Sequence, residues 1–250
     1  MRNMRLQFVF ATALVFMTLI ASEVRAGISI DIEAGVASSG YNDIRIPGNT
    51  GSDISLTDDL KSDESEFWRA RLGIGLGQKH RLSLLVAPLR LESSGSVDRA
   101  IDYNGVTFEA GEALSARYRF DSYRLTYSYA LVQSDRLDFD IGFTAKIRDA
   151  AIRIESEQRS SEKTNTGFVP LINFGVDWSF TSQFGLLIQG DALAAPQGRA
   201  EDVLLAPYAD LSDRLRFRVG YRILEGGADN DEVYTFALVH YLSAGVSWTF

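Results

Sequence analysis

The stretch Leu242-Ser243-Ala244-Gly245-Val246-Ser247-Trp248-Thr249-Phe250 decides the fold. Leu242, Ala244, Val246, Trp248 and Phe250 take every second position, and Ser243, Gly245, Ser247 and Thr249 fill the places between. Successive side chains of an extended strand point to opposite faces. The stretch therefore reads as a strand with one apolar face and one face of small or polar residues.

The same period of two returns along the chain from Ile28 onward. Ile28, Ile30, Ile32, Ala34 and Val36 alternate with Ser29, Asp31, Glu33 and Gly35. Trp68, Ala70, Leu72, Ile74 and Leu76 alternate with Arg69, Arg71, Gly73 and Gly75. Further runs begin at Tyr123, Leu137, Ile172 and Leu215. Three segments are less regular: 184–194 and 202–211 alternate weakly, and 81–91 carries leucines on both parities, which leaves its facing open. Four connections are short and polar, at 78–80, 133–136, 181–183 and 212–214. The others are mostly longer, at 39–65, 95–112, 148–165, 195–201 and 225–232. Long and short connections take turns. That is the pattern of an up-and-down antiparallel β-barrel of about ten strands, all-β and transmembrane, with tight turns on one side and long loops on the other.

Periodicity alone does not say which face points inward; a soluble barrel puts its apolar residues inside. Two features favour the opposite. The polar faces mix charge with Gly, Ser and Thr, which suits a wet or salt-bridged lumen. The apolar faces carry aromatics close to the short turns: Trp178, Phe180 and Phe184 at one, Trp248 and Phe250 at another, as in an interfacial girdle.

The first residues read as a targeting segment. Arg2 and Arg5 precede the apolar run 8–20, and Val24-Arg25-Ala26 places compact residues where a signal peptidase reads. The run is shorter than the roughly 20 residues a spanning helix needs. The expected organisation is a signal peptide over 1–26 and a barrel over 27–250. Cleavage removes three arginines and one glutamate, so the net charge moves from -8 to -10. The acidic charge is spread along the chain and gives no basic patch for nucleic acid. With no cysteine, neither a disulfide scaffold nor a cysteine-linked lipid anchor is available.

With its leader, its barrel-wide alternation and its aromatic last residue, the chain resembles the small outer-membrane β-barrels of Gram-negative bacteria. The resemblance implies an outer-membrane location. It also implies that Leu242, Ala244, Val246, Trp248 and Phe250 form a β-signal read by the barrel-assembly machinery during insertion. The expected partners are outer-membrane lipid and lipopolysaccharide.

If apolar faces meet lipid, the lumen receives Asp31, Glu33, Arg69, Arg71, Arg124, Asp138, Asp140, Lys146, Asp177, Asp191, Arg216, Arg218 and Arg222. About eight strands leave an interior that side chains can fill, and an unpaired buried charge is strongly disfavoured. A lumen plugged by salt bridges is the favoured expectation, with a structural or surface-binding role. A narrow selective channel and a lipid-directed hydrolase are the alternatives. The hydrolase would need His240, since His80 falls in a short turn. Ser243 projects to the other face from His240, so a serine on a neighbouring strand would have to join it. Acidic loops carry Asp53, Asp58, Asp59, Asp63, Glu64 and Glu66, and again Asp229, Asp231 and Glu232. They read as solvated loops rather than a Ca²⁺ site, although they could meet cations that bridge lipopolysaccharide. No phosphate-cradling glycine motif, metal-ligand spacing or nucleophile elbow occurs, and no metal or cofactor is expected.

Overall fold

The computed structural model describes residues 27–196 and 198–250. The expected signal peptide, 1–26, lies outside the described residues. Fifteen strands follow in order: β1 (Ile28–Arg45), β2 (Ile54–Ser55), β3 (Lys61–Ser62), β4 (Ser65–Leu76), β5 (His80–Ala87), β6 (Arg90–Gly95), β7 (Ile101–Tyr103), β8 (Val106–Phe108), β9 (Leu114–Gln133), β10 (Leu137–Glu155), β11 (Ser160–Ser179), β12 (Phe184–Ala195), β13 (Gly198–Ser212), β14 (Leu215–Asp229) and β15 (Tyr234–Thr249).

Ten staves close into an antiparallel ring: β1, β4, β5 with β6, and then β9 to β15 in sequence order. The β5 and β6 segments are two pieces of one stave, and both pair with β9. The ring shuts where β15 pairs with β1, from Ser29 opposite Thr249 to Arg45 opposite Tyr234. Closure leaves no unpaired edge within the bilayer, where water cannot satisfy the backbone. The up-and-down barrel of about ten strands is the observed architecture.

The facing question is answered by exposure. Ile32, Trp68, Leu84, Tyr123, Phe143, Ile172, Val219 and Leu242 are large apolar residues pointing outward. Trp178, Phe180, Phe184, Trp248 and Phe250 are likewise exposed beside the short turns, as a girdle requires. In the stave left open by the sequence, Leu82, Leu84 and Val86 face out, and Ser83, Leu85 and Ala87 face in.

The expected loops differ from the observed ones. The 148–165 segment is not a loop: β10 and β11 stay paired up to Glu155 opposite Ser160. These strands have 19 and 20 residues, about twice the 9–11 needed to cross a bilayer. The expected loops at 195–201 and 225–232 are also mostly strand. In β1, a bulge between Ser39 and Tyr41 shifts the register. Beyond it the inward parity changes from odd to even, so that Asn42 and Ile44 are buried.

The remaining loops fold over one side of the barrel mouth. The β7–β8 hairpin turns at Asn104-Gly105, both with positive φ, as a two-residue hairpin turn demands. It delivers Ile101, Tyr103 and Phe108 into a fully buried cluster with Ile44, Ile46, Ile54, Leu56 and Leu91. This apolar core lies outside the membrane band. It reaches down to the staves through Phe67 and Tyr241, which meet edge-on at 4.7 Å.

Candidate functional site

Inside the membrane band the lumen holds a layer of paired charges. Asp202, on β13, accepts hydrogen bonds from Arg69 at 2.9 Å, from Arg124 and from Arg222. These arginines come from β4, β9 and β14. Because β13 stands four staves from both β4 and β9 in the ring, the carboxylate ties opposite walls together. Arg124 also donates to Asp191 at 2.7 Å, and Asp191 accepts from Thr144 at 2.6 Å and Asn173 at 2.8 Å. Arg222 donates to Glu33 at 2.7 and 2.9 Å. Arg218 binds Asp31 at 2.9 Å and reaches Glu33 at 3.4 Å. Its guanidinium lies over Gly245, where a Cβ would stand only 2.5 Å from Arg218 Cζ. The small residues of the last strand's inner face thus make room for an arginine from the next stave.

Of the residues expected to face the lumen, Asp31, Glu33, Arg69, Arg124, Asp191, Arg218 and Arg222 belong to this layer. Asp177 and Arg216 form a second cluster nearer the short turns, with Asp210 at 2.7 and 3.0 Å from Arg216 and Tyr208 donating to Asp177. Asp138 and Asp140, also expected to face the lumen, stand apart from this layer. Asp138 is exposed at the turn-side mouth, and Asp140 sits 3.7 Å from the mostly exposed Arg81. The register accounts for the separation: Asp138 lies opposite Gln133 at the strand end, whereas Arg124 pairs with Lys146 far up the barrel. Arg71 and Lys146 lie inward without a carboxylate within ion-pair distance among the described residues.

Sequence reading missed Asp202 and Asp210. Asp202 shares its inward parity with Leu204, Ala206 and Tyr208, all buried. Their apolar character hid the alternation. The expected inner charges gave no sign of a missing acid, since six arginines already faced six carboxylates.

His240 lies on the outer face, and its Nδ1 hydrogen-bonds the Tyr221 hydroxyl. The register places Ser38 directly opposite it on β1. No hydrogen bond joins Ser38 to His240, and none of the hydrogen bonds among the described residues ties a carboxylate to the ring. Ser243 points inward, as expected, and contacts the Gly220 carbonyl at 3.4 Å. His80 stands at a short turn beside Tyr127. Leu242, Ala244, Val246, Trp248 and Phe250 all face outward.

Outside the membrane, the acidic loop is partly clasped by arginines. Arg45 meets Asp53 at 2.8 Å, and Arg99 meets Asp59 at 2.7 and 3.0 Å. The Arg99 guanidinium holds the Asp59 carboxyl below the usual carboxylate range. Burial pushes the Tyr103 hydroxyl well up; it donates to the Ile152 carbonyl at 2.8 Å. Among the described residues no group of three His, Cys, Asp or Glu side chains is placed to hold a metal ion.

Above the charged layer, beside the apolar core, the mouth is hollow. A cavity of about 280 Å³ is bounded by Phe120, Lys146, Val169, Leu193, Leu224 and Val239. A second, of about 460 Å³, adjoins it through Tyr118, Phe120, Arg148 and Thr235.

The sequence matches no family model and no curated protein. Among solved structures, the chain is similar to the outer-membrane protease OmpT of Escherichia coli, with a TM-score of 0.57 at 10% identity, over 90% of this chain and 97% of that one. More distant likenesses include the transport unit of the autotransporter AIDA-I of Escherichia coli (TM-score 0.45, 7% identity, 92% of each chain) and Ail of Yersinia pestis (0.42, 10%, 90% and 99%). Identities this low establish the fold alone. With the closed ring and its apolar outer belt, the protein is a bacterial outer-membrane β-barrel.

Proposed function

We propose that this barrel is closed to solutes and works as a surface-binding protein from its extracellular end. The observation that supports the reading is the Asp202 hub, which takes arginines from three staves and spans the lumen at the level of the membrane. A conducting pore needs a continuous file of water. Here Asp31, Glu33, Asp191 and Asp202 are taken up by arginines of the same layer, and directly above them Phe67 and Tyr241 begin an apolar core. On this reading the contacts with outer-membrane lipid and lipopolysaccharide are made by the outer belt and by the arginine-clasped loops. The alternating last strand serves as the signal for assembly.

The absence of cysteine makes the test clean. Thr235→Cys lines the mouth, and Ser29→Cys faces inward near the short turns. In vesicles with the loops outward, a membrane-impermeant thiol reagent should label Thr235→Cys at once and Ser29→Cys only after the vesicles are opened. Labelling of Ser29→Cys in sealed vesicles would overturn the closed-barrel reading.

A further inference from the structure

The barrel wall has a notch. Between β11 and β12, pairing runs from Ser179 opposite Gly185 up to Ile172 opposite Ala192, and stops there. Above that point β11 continues to Ser160, paired with β10 alone. Its neighbour ends low, in the short hairpin between Ala195 and Gly198. Pro170 stands just above the last pair. Lacking an N–H, proline suits a strand edge that has no partner.

The base of the notch lies within the bilayer. Ile172 is eight residues above Phe180 of the turn-side girdle. At ~3.3 Å per residue and ~40° of tilt this is ~20 Å, within an apolar band about 25 Å tall. Phe168, on the lip, is exposed and paired with the outward Ile147. The base of the opening therefore meets the outer leaflet, and the lip at Phe168, ~30 Å up by the same rise and tilt, stands at that leaflet's outer edge.

Behind it lies the 280 Å³ cavity, whose lining includes Phe168 and Pro170 from one lip and Leu193 and Ala195 from the other. Its size approaches that of small-ligand pockets. Lys146 pairs with Val169 across β10 and β11, directly behind the gap. It is 2% exposed, and its Nζ sits 4.7 Å from the Phe120 ring centroid. The charge balance leaves it uncompensated. Six cations (Arg69, Arg71, Arg124, Lys146, Arg218 and Arg222) share this interior with four carboxylates (Asp31, Glu33, Asp191 and Asp202). Arg69, Arg124, Arg218 and Arg222 take up the carboxylates, which leaves Arg71 and Lys146 without one. An unpaired lysine buried this deeply carries its charge only at a steep cost, which an anionic group beside its Nζ would offset.

We infer that the notch is a side entrance through which a single-chain anionic amphiphile passes from the outer leaflet into the cavity, its charged head meeting Lys146. The alkyl chain lies against Phe120, Leu193 and Leu224. The inference rests on the closed-barrel reading, since a lumen sealed below makes the cavity a dead-end site. No bond is made or broken.

The test uses dodecanoate carrying a chain-end diazirine and the full barrel in zwitterionic phospholipid nanodiscs. Photolabel should map to the cavity residues, and excess dodecanoate should compete it away. Dodecyl phosphate in place of dodecanoate tells a phosphate head from a carboxylate. Dodecanol should compete at least tenfold more weakly than the better anion. Lys146→Met should cut cavity labelling about tenfold. Val169→Trp, which fills the entrance and keeps the charge, should do the same even if the lysine variant fails to fold. Label confined to the lipid-facing belt, equal competition by dodecanol, or full labelling of a folded Lys146→Met would overturn the inference. Ser29→Cys labelling in sealed vesicles would instead overturn the closed-barrel reading, leaving the photolabel map to decide the side entrance by itself.

Discussion

The two interiors of this molecule are built from opposite materials. Within the membrane, the lumen is filled by arginines and carboxylates, although the surroundings are hydrocarbon. Outside the membrane, where water is plentiful, the loops enclose a core of Ile44, Ile54, Leu91, Ile101, Tyr103 and Phe108. The inversion follows from what each outer surface must do. A stave in lipid spends its apolar parity outward, so only polar residues remain for the inside, and these must satisfy one another. A stave that rises past the bilayer is freed from that demand. Its outer face turns polar, and its inner face can again be apolar: Ile152 and Ile154 continue the inward parity of Thr144 and Lys146 on the same strand.

The contrast can be broken most severely at Asp202. Asp202→Ala leaves three buried guanidinium groups without their shared carboxylate, and removing one partner of a buried pair costs about 3–5 kcal/mol. The folded, heat-resistant form on cold electrophoresis should be lost at a clearly lower urea concentration. A midpoint equal to the native one would mean that the charged layer does not hold the walls together.

A smaller and more local effect is expected in the other interior. Tyr103→Phe removes the hydrogen bond to the Ile152 carbonyl, worth about 1 kcal/mol. Amide exchange should rise in 95–114 and 150–154 while the lower staves keep their protection. Uniform loosening of the barrel would show that the two interiors are one cooperative unit.

The smallest effect belongs to the surface clasp. Asp59 has a lowered folded-state pKa, so its contribution is complete above the usual aspartate value and is lost as pH falls through the lowered one. Acidification into that window should raise exchange in 54–60 and around Arg99. Asp59→Asn should show the raised exchange already at neutral pH, by less than ~1 kcal/mol, as befits a partly exposed pair. No pH dependence of these amides between neutral pH and that window would deny the clasp.

The two interiors also differ in how far the sequence discloses them. The membrane-level staves were legible because lipid on one side and polar partners on the other enforce strict alternation, as at 242–250. The upper half was not. At 148–165 both faces are polar or mixed, so a hairpin continuous with its staves looks like a loop. At Ser39–Tyr41 a bulge reverses the parity, and the strand beyond it falls out of step with the part below. The charged layer was legible in its arginines and in three of its carboxylates, Asp31, Glu33 and Asp191. Its hub was not, because Asp202 shares its inward parity with the buried Leu204, Ala206 and Tyr208. The notch was invisible for a different reason: where two neighbouring staves part depends on their relative lengths and on the placing of Pro170, not on any pattern within one strand.

The central claim is that the charged interior seals the barrel while the apolar interior and its adjoining cavity carry the function. Single-channel recording in planar bilayers tests it most directly. The native protein should give no discrete conductance, and Asp202→Ala should give transient openings. Steady, ion-selective steps from the native protein would contradict it.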